Sequence, residues 1–113
     1  MILGARQSIV DITHQDVQAN GLRFHVASCG PDDGAPIILL HGFPEFWGGW
    51  AVHMPLLAAR GYRVIAPDLR GYGRSEKPPK VKDYALKCLA QDVTGILDAL
   101  GYPKAYVVGH DWG

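Results

Sequence analysis

The apolar run Ile37-Ile38-Leu39-Leu40 most constrains the fold of this 113-residue chain. It lies between Pro36 and Gly42 and lacks the alternation of apolar and polar residues that a strand with one solvated face shows. A continuous apolar run of this length is typical of a strand covered on both faces in a parallel sheet. We therefore predict a buried, central strand here.

Strand and helix patterns alternate around that run. Two short segments of mixed polarity, residues 14–19 and 22–28, are joined by Asn20-Gly21, which favours a tight hairpin between antiparallel edge strands. Apolar residues at helical spacing predict helices, and further apolar runs predict strands: helices over 50–60 and 84–100, strands over 62–66 and 105–108. Strands that alternate with helices after a hairpin predict an α/β fold with right-handed crossovers.

Local signals mark the ends of the predicted helices. Asp83 is predicted to cap the second helix at its start, and Gly61 and Gly101 to close the two helices. That second helix is expected to bury an apolar face that begins with Leu86.

Residues 70–82 are rich in glycine, proline and charge, and predict a long loop between the strand at 62–66 and the second helix. Its Gly71-x-Gly73 is interpreted as a surface turn, because Glu76 replaces the third glycine of a dinucleotide fingerprint. Arg70 and Arg74 are expected to pair with Asp68 or with nearby carbonyl groups.

The pentapeptide Gly109-His110-Asp111-Trp112-Gly113 follows the last predicted strand. Glycines two positions before and after a central residue are typical of the sharp strand-to-helix turn called a nucleophile elbow, because a Cβ at either flank would clash. Asp111 is therefore the candidate catalytic nucleophile. A carboxylate attacks a saturated carbon that carries a leaving group, and forms an ester that water must later cleave. Taken alone, the pentapeptide is equally well explained as a turn with an Asx cap.

The loop His41-Gly42-Phe43-Pro44 follows the central strand and should face the elbow, since the carboxyl ends of parallel strands meet at one edge. The backbone N–H groups of Phe43 and Trp112 are predicted to form an oxyanion hole for the carbonyl oxygen of the Asp111 ester. Phe43 and Trp112 are also predicted to line the substrate pocket. Alone, the loop is better explained as a strand-ending turn with an aromatic plug, and its pairing with the elbow favours the functional interpretation.

Composition argues against several classes of partner. Eleven basic residues balance eleven acidic ones, so nothing predicts attraction to nucleic acid or to an anionic membrane. Cys29 and Cys88 lack metal-ligand spacing and fit a reducing compartment, as buried apolar side chains. No stretch has the length that spans a membrane, and no signal-peptide pattern opens the chain. We expect a cytoplasmic protein that acts on a small neutral apolar molecule and uses no cofactor and no metal.

Taken together, these motifs resemble the N-terminal part of an α/β-hydrolase-fold enzyme, most closely the soluble epoxide hydrolases. The resemblance covers nearly all of the chain, and three stretches carry it: HGFPEFW at 41–47, GYRVIAPDLRGYGRS at 61–75 and GHDWG at 109–113. It implies that Asp111 opens an epoxide by backside attack, that the Phe43 and Trp112 amides form the oxyanion hole, and that the Phe43–Pro44 peptide is cis. Residues 1–113 would then be the N-terminal part of a single core domain.

The resemblance also implies parts that this chain lacks. In that family a cap domain supplies two tyrosines that protonate the epoxide oxygen, and a histidine with an acidic partner activates water, all after the nucleophile. None of the five histidines here fits the base role. His41 belongs to the oxyanion loop, and the side chain of His110 is expected to point away from that of Asp111. The other three are expected at the surface or in packing contacts: His14, His25 and His53.

Two alternatives stay open. A haloalkane dehalogenase resembles this chain through the same elbow, with the Trp112 indole as halide donor, but those enzymes generally carry asparagine or glutamate at the position of Phe43. Fluoroacetate dehalogenases tend to carry arginine after the nucleophile, where this chain has Trp112, so this residue argues against them. The other alternative is a non-catalytic fragment or subunit that needs a second chain or the rest of the polypeptide, because the last strand would lose its outer neighbour and expose an unpaired edge.

Overall fold

The computed structural model describes residues 10–110, so Asp111, Trp112 and Gly113 lie outside the described residues. Within this range a hairpin is followed by strands and helices in alternation. The elements are β1 (Thr13–Ala19), β2 (Leu22–Cys29), β3 (Ala35–Leu40), α1 (His53–Ala59), β4 (Tyr62–Pro67), α2 (Leu86–Leu100) and β5 (Tyr106–Gly109). Short 3-10 turns cover Trp47–Trp50 and Val81–Tyr84.

The strands form one mixed sheet in the order β1-β2-β4-β3-β5. β3 runs parallel to β4 on one side and to β5 on the other, so the predicted central position of residues 37–40 is confirmed. β2 is antiparallel to both β1 and β4, with Val26–Cys29 paired to β4. The prediction of an edge strand is therefore wrong for β2. Its polar residues His25 and Ser28 suggested exposure, but both are only 2% exposed because hydrogen bonds satisfy them inside the fold.

The turn between β1 and β2 has the conformation predicted for Asn20-Gly21. Asn20 has φ +50° and Gly21 has φ +79°, the positive values that a two-residue hairpin turn requires at both positions. The turn fixes the register in which Ala19 lies opposite Leu22, and hence which side chains of the hairpin face the core.

The core has two parts because β3 is covered on both faces. Ile38 and Leu40 pack on one face with Ile96 and Leu97 of α2. The alternate residues of β3 pack on the other face, with α1: Ile37 and Leu39, against Met54 and Ala58. The pleat sends successive side chains to opposite faces, so a continuously apolar strand supplies both parts of the core.

Both helices begin later than predicted. Trp47–Trp50 forms a 3-10 turn and α1 starts at His53. The cap predicted at Asp83 is wrong, because Asp83 lies in the 3-10 turn and α2 starts after Ala85 without a side-chain cap. Leu86, assigned to the apolar face of α2, is exposed. Gly61 and Gly101 have φ +94° and +86° directly after the two helices, as predicted for residues that end them.

A buried ion pair joins the loop after β4 to α2. The guanidinium of Arg70 donates two hydrogen bonds to Asp92, from Nε to Oδ2 at 2.6 Å and from Nη2 to Oδ1 at 2.7 Å. Asn20 in the hairpin turn donates to the same carboxylate at 2.8 Å, and Arg70 also donates to the carbonyl of Asp83. Arg70 and Asp92 are 5% and 1% exposed, so this pair lies away from water, and its partners link four segments: the hairpin turn, the loop after β4, the 3-10 turn and α2. Of the partners expected for Arg70, Asp68 or nearby carbonyl groups, it binds a carbonyl group, that of Asp83, and its carboxylate partner is Asp92.

Replacement of Arg70 with methionine should lower the free energy of unfolding by about 3–5 kcal/mol, because it leaves the Asp92 carboxylate buried without its partner. Chemical denaturation measures the loss. Arg74→Met is the matched control, since the exposed Arg74 side chain makes no comparable buried pair, and it should change stability by less than about 0.5 kcal/mol. Equal losses in the two variants would show that the buried pair is not what stabilises this region.

Candidate active site

The pairing of β3 with β5 brings two of the predicted site segments together. Leu40 at the end of β3 is in register with Gly109 at the end of β5, and the N–H of His110 donates to the carbonyl of Leu40 at 3.1 Å. Because both strands run in the same direction, the loop after β3 and the first residues of the predicted elbow leave the sheet side by side.

Phe43 projects from this edge with its side chain 62% exposed. Among residues 10–110 its backbone N–H has no hydrogen-bond partner. The Phe43–Pro44 peptide bond is cis, as the resemblance implied. A free N–H and an exposed apolar ring at this position are what an oxyanion donor and pocket wall require, and both roles of Phe43 stay predictions. The corresponding roles of Trp112, and that of Asp111 as nucleophile, concern residues outside the described part.

His41 holds the loop rather than serving as a base. Its ring is buried, and Nε2 accepts the N–H of Leu69 at 3.0 Å. An accepting Nε2 places the proton of the neutral ring on Nδ1, which then donates to the carbonyl of Gly42 at 3.0 Å. With both nitrogens engaged, His41 has neither a free lone pair nor access to a water molecule.

Glu45 is a site residue that the sequence interpretation did not single out. Its Oε1 accepts the N–H of Gly42 at 3.0 Å, and its own N–H donates to the carbonyl of Gly42 at 2.8 Å. The same Oε1 lies 3.5 Å from Nδ1 of His110. The carboxylate therefore closes the turn that presents Phe43 and also contacts the residue before Asp111. The three-residue spacing from Gly42, as in a capping box, was the available signal.

A small cleft opens beside this contact. It has a volume of about 300 Å³ and is lined by five residues from the loop, the helix start and the elbow: Glu45, Gly49, Trp50, His53 and His110. His53 is exposed there, as expected for a surface histidine.

Tyr72 was also missed. The Gly71-x-Gly73 loop was interpreted as a surface turn, yet the Tyr72 ring packs edge-on against His41 and Phe43, with centroid distances of 4.9 and 6.4 Å. These contacts join residues that lie about thirty positions apart, so no local pattern announces them. Tyr72 thus belongs to the wall that supports the loop.

Two remaining histidines form a pair with a buried carboxylate. His25 is 2% exposed, so its packing role is confirmed, and its Nδ1 lies 2.8 Å from Oδ2 of Asp68. His14 is exposed at the surface and places its Nδ1 2.8 Å from Nε2 of His25. Both rings also pack edge-on against Trp47, at the end of the loop that carries Phe43, with centroid distances of 5.0 Å for His14 and 6.3 Å for His25.

The described residues contain no group of three or more His, Cys, Asp or Glu side chains arranged to bind a metal ion. Between residues 10 and 110 no helix has both the length and the apolar character needed to cross a membrane.

The sheet and the loop after β3 define a class of protein. The model of the alpha/beta hydrolase fold family matches residues 35–113, and the chain belongs to that family. Its sheet and helices form the N-terminal part of the fold, as predicted.

Relatives within this family carry more specific names. The chain is 50% identical over 99 residues to the AB hydrolase superfamily protein YfhM of Bacillus subtilis, covering 88% of this chain and 35% of that protein. It is 51% identical over 102 residues to epoxide hydrolase B of Mycobacterium tuberculosis, with 88% and 29% covered. The crystal structure of epoxide hydrolase VrEH1 from Vigna radiata superimposes with a TM-score of 0.87 at 42% identity, covering 96% of this chain and 33% of that one. The chain thus spans about a third of the length of its relatives, and the sequence resemblance to epoxide hydrolases is confirmed.

Replacement of Glu45 with alanine should loosen the loop after β3, because the Gly42 N–H loses its acceptor and His110 loses its contact. Amide hydrogen exchange at Gly42 should become several-fold faster. Glu45→Gln is the matched variant, since its amide oxygen can still accept from Gly42, and its exchange rate should stay near that of the wild type. If alanine and glutamine behave alike, the Oε1 hydrogen bond does not hold the turn.

Proposed function

We propose that the protein containing this chain is an epoxide hydrolase that converts a small, neutral, apolar epoxide into a vicinal diol through an ester of Asp111. The observation that carries the proposal is the parallel pairing of β3 and β5, which sets the free N–H of Phe43 at the same edge as the turn that leads into Asp111. The names of the relatives support the epoxide as substrate.

In the first half-reaction a carboxylate oxygen of Asp111 attacks one epoxide carbon from the side opposite the ring oxygen. The new C–O bond forms as the ring C–O bond breaks, and its electron pair moves to the ring oxygen. That oxygen needs a proton, which tyrosines beyond Asp111 supply in enzymes that this chain resembles. The exposed ring of Phe43 offers an apolar surface to the hydrocarbon part of the substrate.

In the second half-reaction water attacks the carbonyl carbon of the ester. The carbonyl oxygen becomes an oxyanion, and we assign its stabilisation to the N–H groups of Phe43 and Trp112. Collapse of the tetrahedral intermediate releases the diol, and the carboxylate of Asp111 regains an oxygen that came from water. The base that activates this water is not His41, since both of its nitrogens are engaged.

The exposed edge of the sheet suggests how this chain is completed. β5 pairs with β3 on one side, and three of its side chains are 38–62% exposed: Tyr106, Val107 and Val108. Among residues 10–110 no strand pairs with the other side of β5, and an apolar edge of this kind is usually covered in a stable protein. We therefore propose that the rest of the polypeptide, or a second chain, pairs here and supplies the missing acid and base. The two free cysteines, with Cys29 buried, fit the cytoplasmic location that we propose.

A single turnover with styrene oxide in heavy-oxygen water tests the ester mechanism in the intact protein. The first diol formed should contain unlabelled oxygen from Asp111, while the peptide containing Asp111 gains the label, as mass spectrometry of both products would show. Diol that carries solvent oxygen in the first turnover would mean direct attack by water. Asp111→Ala should abolish turnover.

Release of halide from a haloalkane of similar size, without diol from the epoxide, would instead identify a dehalogenase.

Residues 1–113 expressed alone should show no steady-state hydrolysis of styrene oxide, because no histidine described here is placed to activate water. At most a slow stoichiometric adduct on Asp111 is expected, together with association through the exposed β5. Intact mass measurement confirms that the sample contains this chain only, and product analysis measures turnover. Multiple turnovers by such a sample would contradict the proposed division of the catalytic groups.

A further inference from the structure

The carboxylate of Asp68 lies in a cradle at the end of β4. Asp68 is completely buried, and its Oδ1 accepts the N–H of Trp47 at 2.8 Å. Its Oδ2 accepts the N–H of Arg74 at 3.0 Å. At Gly73, which has φ +51°, a Cβ would lie 2.3 Å from Oδ2, so the loop can close around the carboxylate only with glycine there.

A histidine pair, rather than an arginine or lysine, faces this buried charge. Among the described residues the ion-pair partner of Asp68 is His25. Since a carboxylate only accepts, Nδ1 of His25 donates to Oδ2, and in the neutral ring Nε2 is then free to accept from Nδ1 of His14. Burial, and then the electrostatic effects of His25 and Arg74, lower the pKa of His14 below its usual value. Asp68 thus fixes the proton of the neutral His25 ring on Nδ1, and His14 holds the ring in place through Nε2.

Asp68 and Leu69 hold the loop after β3 at its two ends. The N–H of Leu69 is bound by His41 at the start of the loop, and the N–H of Trp47 is bound by Asp68 at its end. Phe43 lies between these two attachments, and its own N–H points to no group in the described part of the chain. The position of that N–H therefore depends on where residues 68 and 69 hold the loop.

We propose that Asp68 is a positioning residue for the hydrolytic half-reaction, which places the Phe43 N–H by anchoring the end of the loop at Trp47. The proposal rests on the proposed function, in which that N–H stabilises the oxyanion. Asp68 touches no substrate and acts through the loop. An oxyanion donor must lie within hydrogen-bond distance of the developing charge, so a small displacement of the loop slows ester hydrolysis while leaving substrate binding nearly unchanged.

Asp68→Asn tests the inference in the intact protein, because the amide keeps the shape of the side chain but loses the charge and one acceptor oxygen. We expect kcat for styrene oxide to fall about tenfold and KM to fall with it, so that kcat/KM stays within about threefold of the wild type, because kcat/KM reports only the steps up to the alkylation of Asp111. Pre-steady-state kinetics should assign the loss to ester hydrolysis. Asp92→Asn is the matched control: it removes the charge of an equally buried carboxylate whose partners are Arg70 and Asn20, and kcat should stay near wild type where the protein is folded.

A milder variant covers the case in which Asp68→Asn does not fold. His14→Phe keeps an aromatic ring against His25 and Trp47 but removes the hydrogen bond that holds Nε2 of His25, the ring that faces Asp68. It should lower kcat in the same direction and to a smaller extent, about threefold, again with little change in kcat/KM. A kcat equal to that of the wild type in every folded variant, or an equal loss in Asp92→Asn, would overturn the positioning role.

Amide hydrogen exchange separates this inference from the proposed function. If the wild-type protein does not turn over epoxides, the proposed function fails, and the exchange rates still decide whether Asp68 holds the loop. Faster exchange at Trp47 and neighbouring loop residues in Asp68→Asn, but not in Asp92→Asn, would support the anchoring role. Equal exchange in the two variants would contradict it.

Discussion

The pairing of β3 with two parallel neighbours is the constraint on which the rest of this structure depends. β3 is hydrogen-bonded to β4 and β5, and the loops that follow these three strands leave the sheet at the same edge. Both faces of β3 are covered, so its position is fixed by the core on each side. Phe43, Asp68 and His110 come together because each follows one of these strands, and not because of any attraction among them.

Polar groups buried at that edge convert this approximate placement into a defined geometry. Apolar packing is non-directional and sets positions only loosely, whereas a hydrogen bond to a buried carboxylate or imidazole fixes distances and angles. His41, in the loop after β3, accepts the N–H of Leu69 in the loop after β4. In the other direction, Asp68 in the loop after β4 accepts the N–H of Trp47 at the end of the loop after β3. Each such group would be costly to leave unpaired, so the loops have one favourable arrangement. Within the part of the chain that the structure describes, this arrangement gives the N–H of Phe43 no partner, and this N–H is the group that the proposed chemistry needs.

Comparison of particular elements shows where interpretation of the sequence succeeds. The strand at residues 37–40, the Asn20-Gly21 turn and the glycines that end the helices were predicted correctly, because each depends on local sterics or on a short periodic pattern. The errors have one common cause, which is that contacts with residues distant in the sequence override the local pattern. Asp83 was assigned as a helix cap by its type and place, but its backbone lies in a 3-10 turn and its carbonyl accepts from Arg70. β2 was assigned to an edge because its polarity is mixed, although partners distant in sequence satisfy its polar residues His25 and Ser28.

The sequence by itself determined the α/β class, the order of strands and helices, and the three motif stretches that identify the α/β-hydrolase fold family, since these follow from residue periodicity and from short turns. Only the tertiary structure decided which polar side chains support the site. Asp68 lies 43 positions from His25, His41 lies 28 from Leu69, and Arg70 lies 22 from Asp92. Such partners are selected by the sheet order and by the exclusion of water from the folded interior, and neither exists until the strands have assembled.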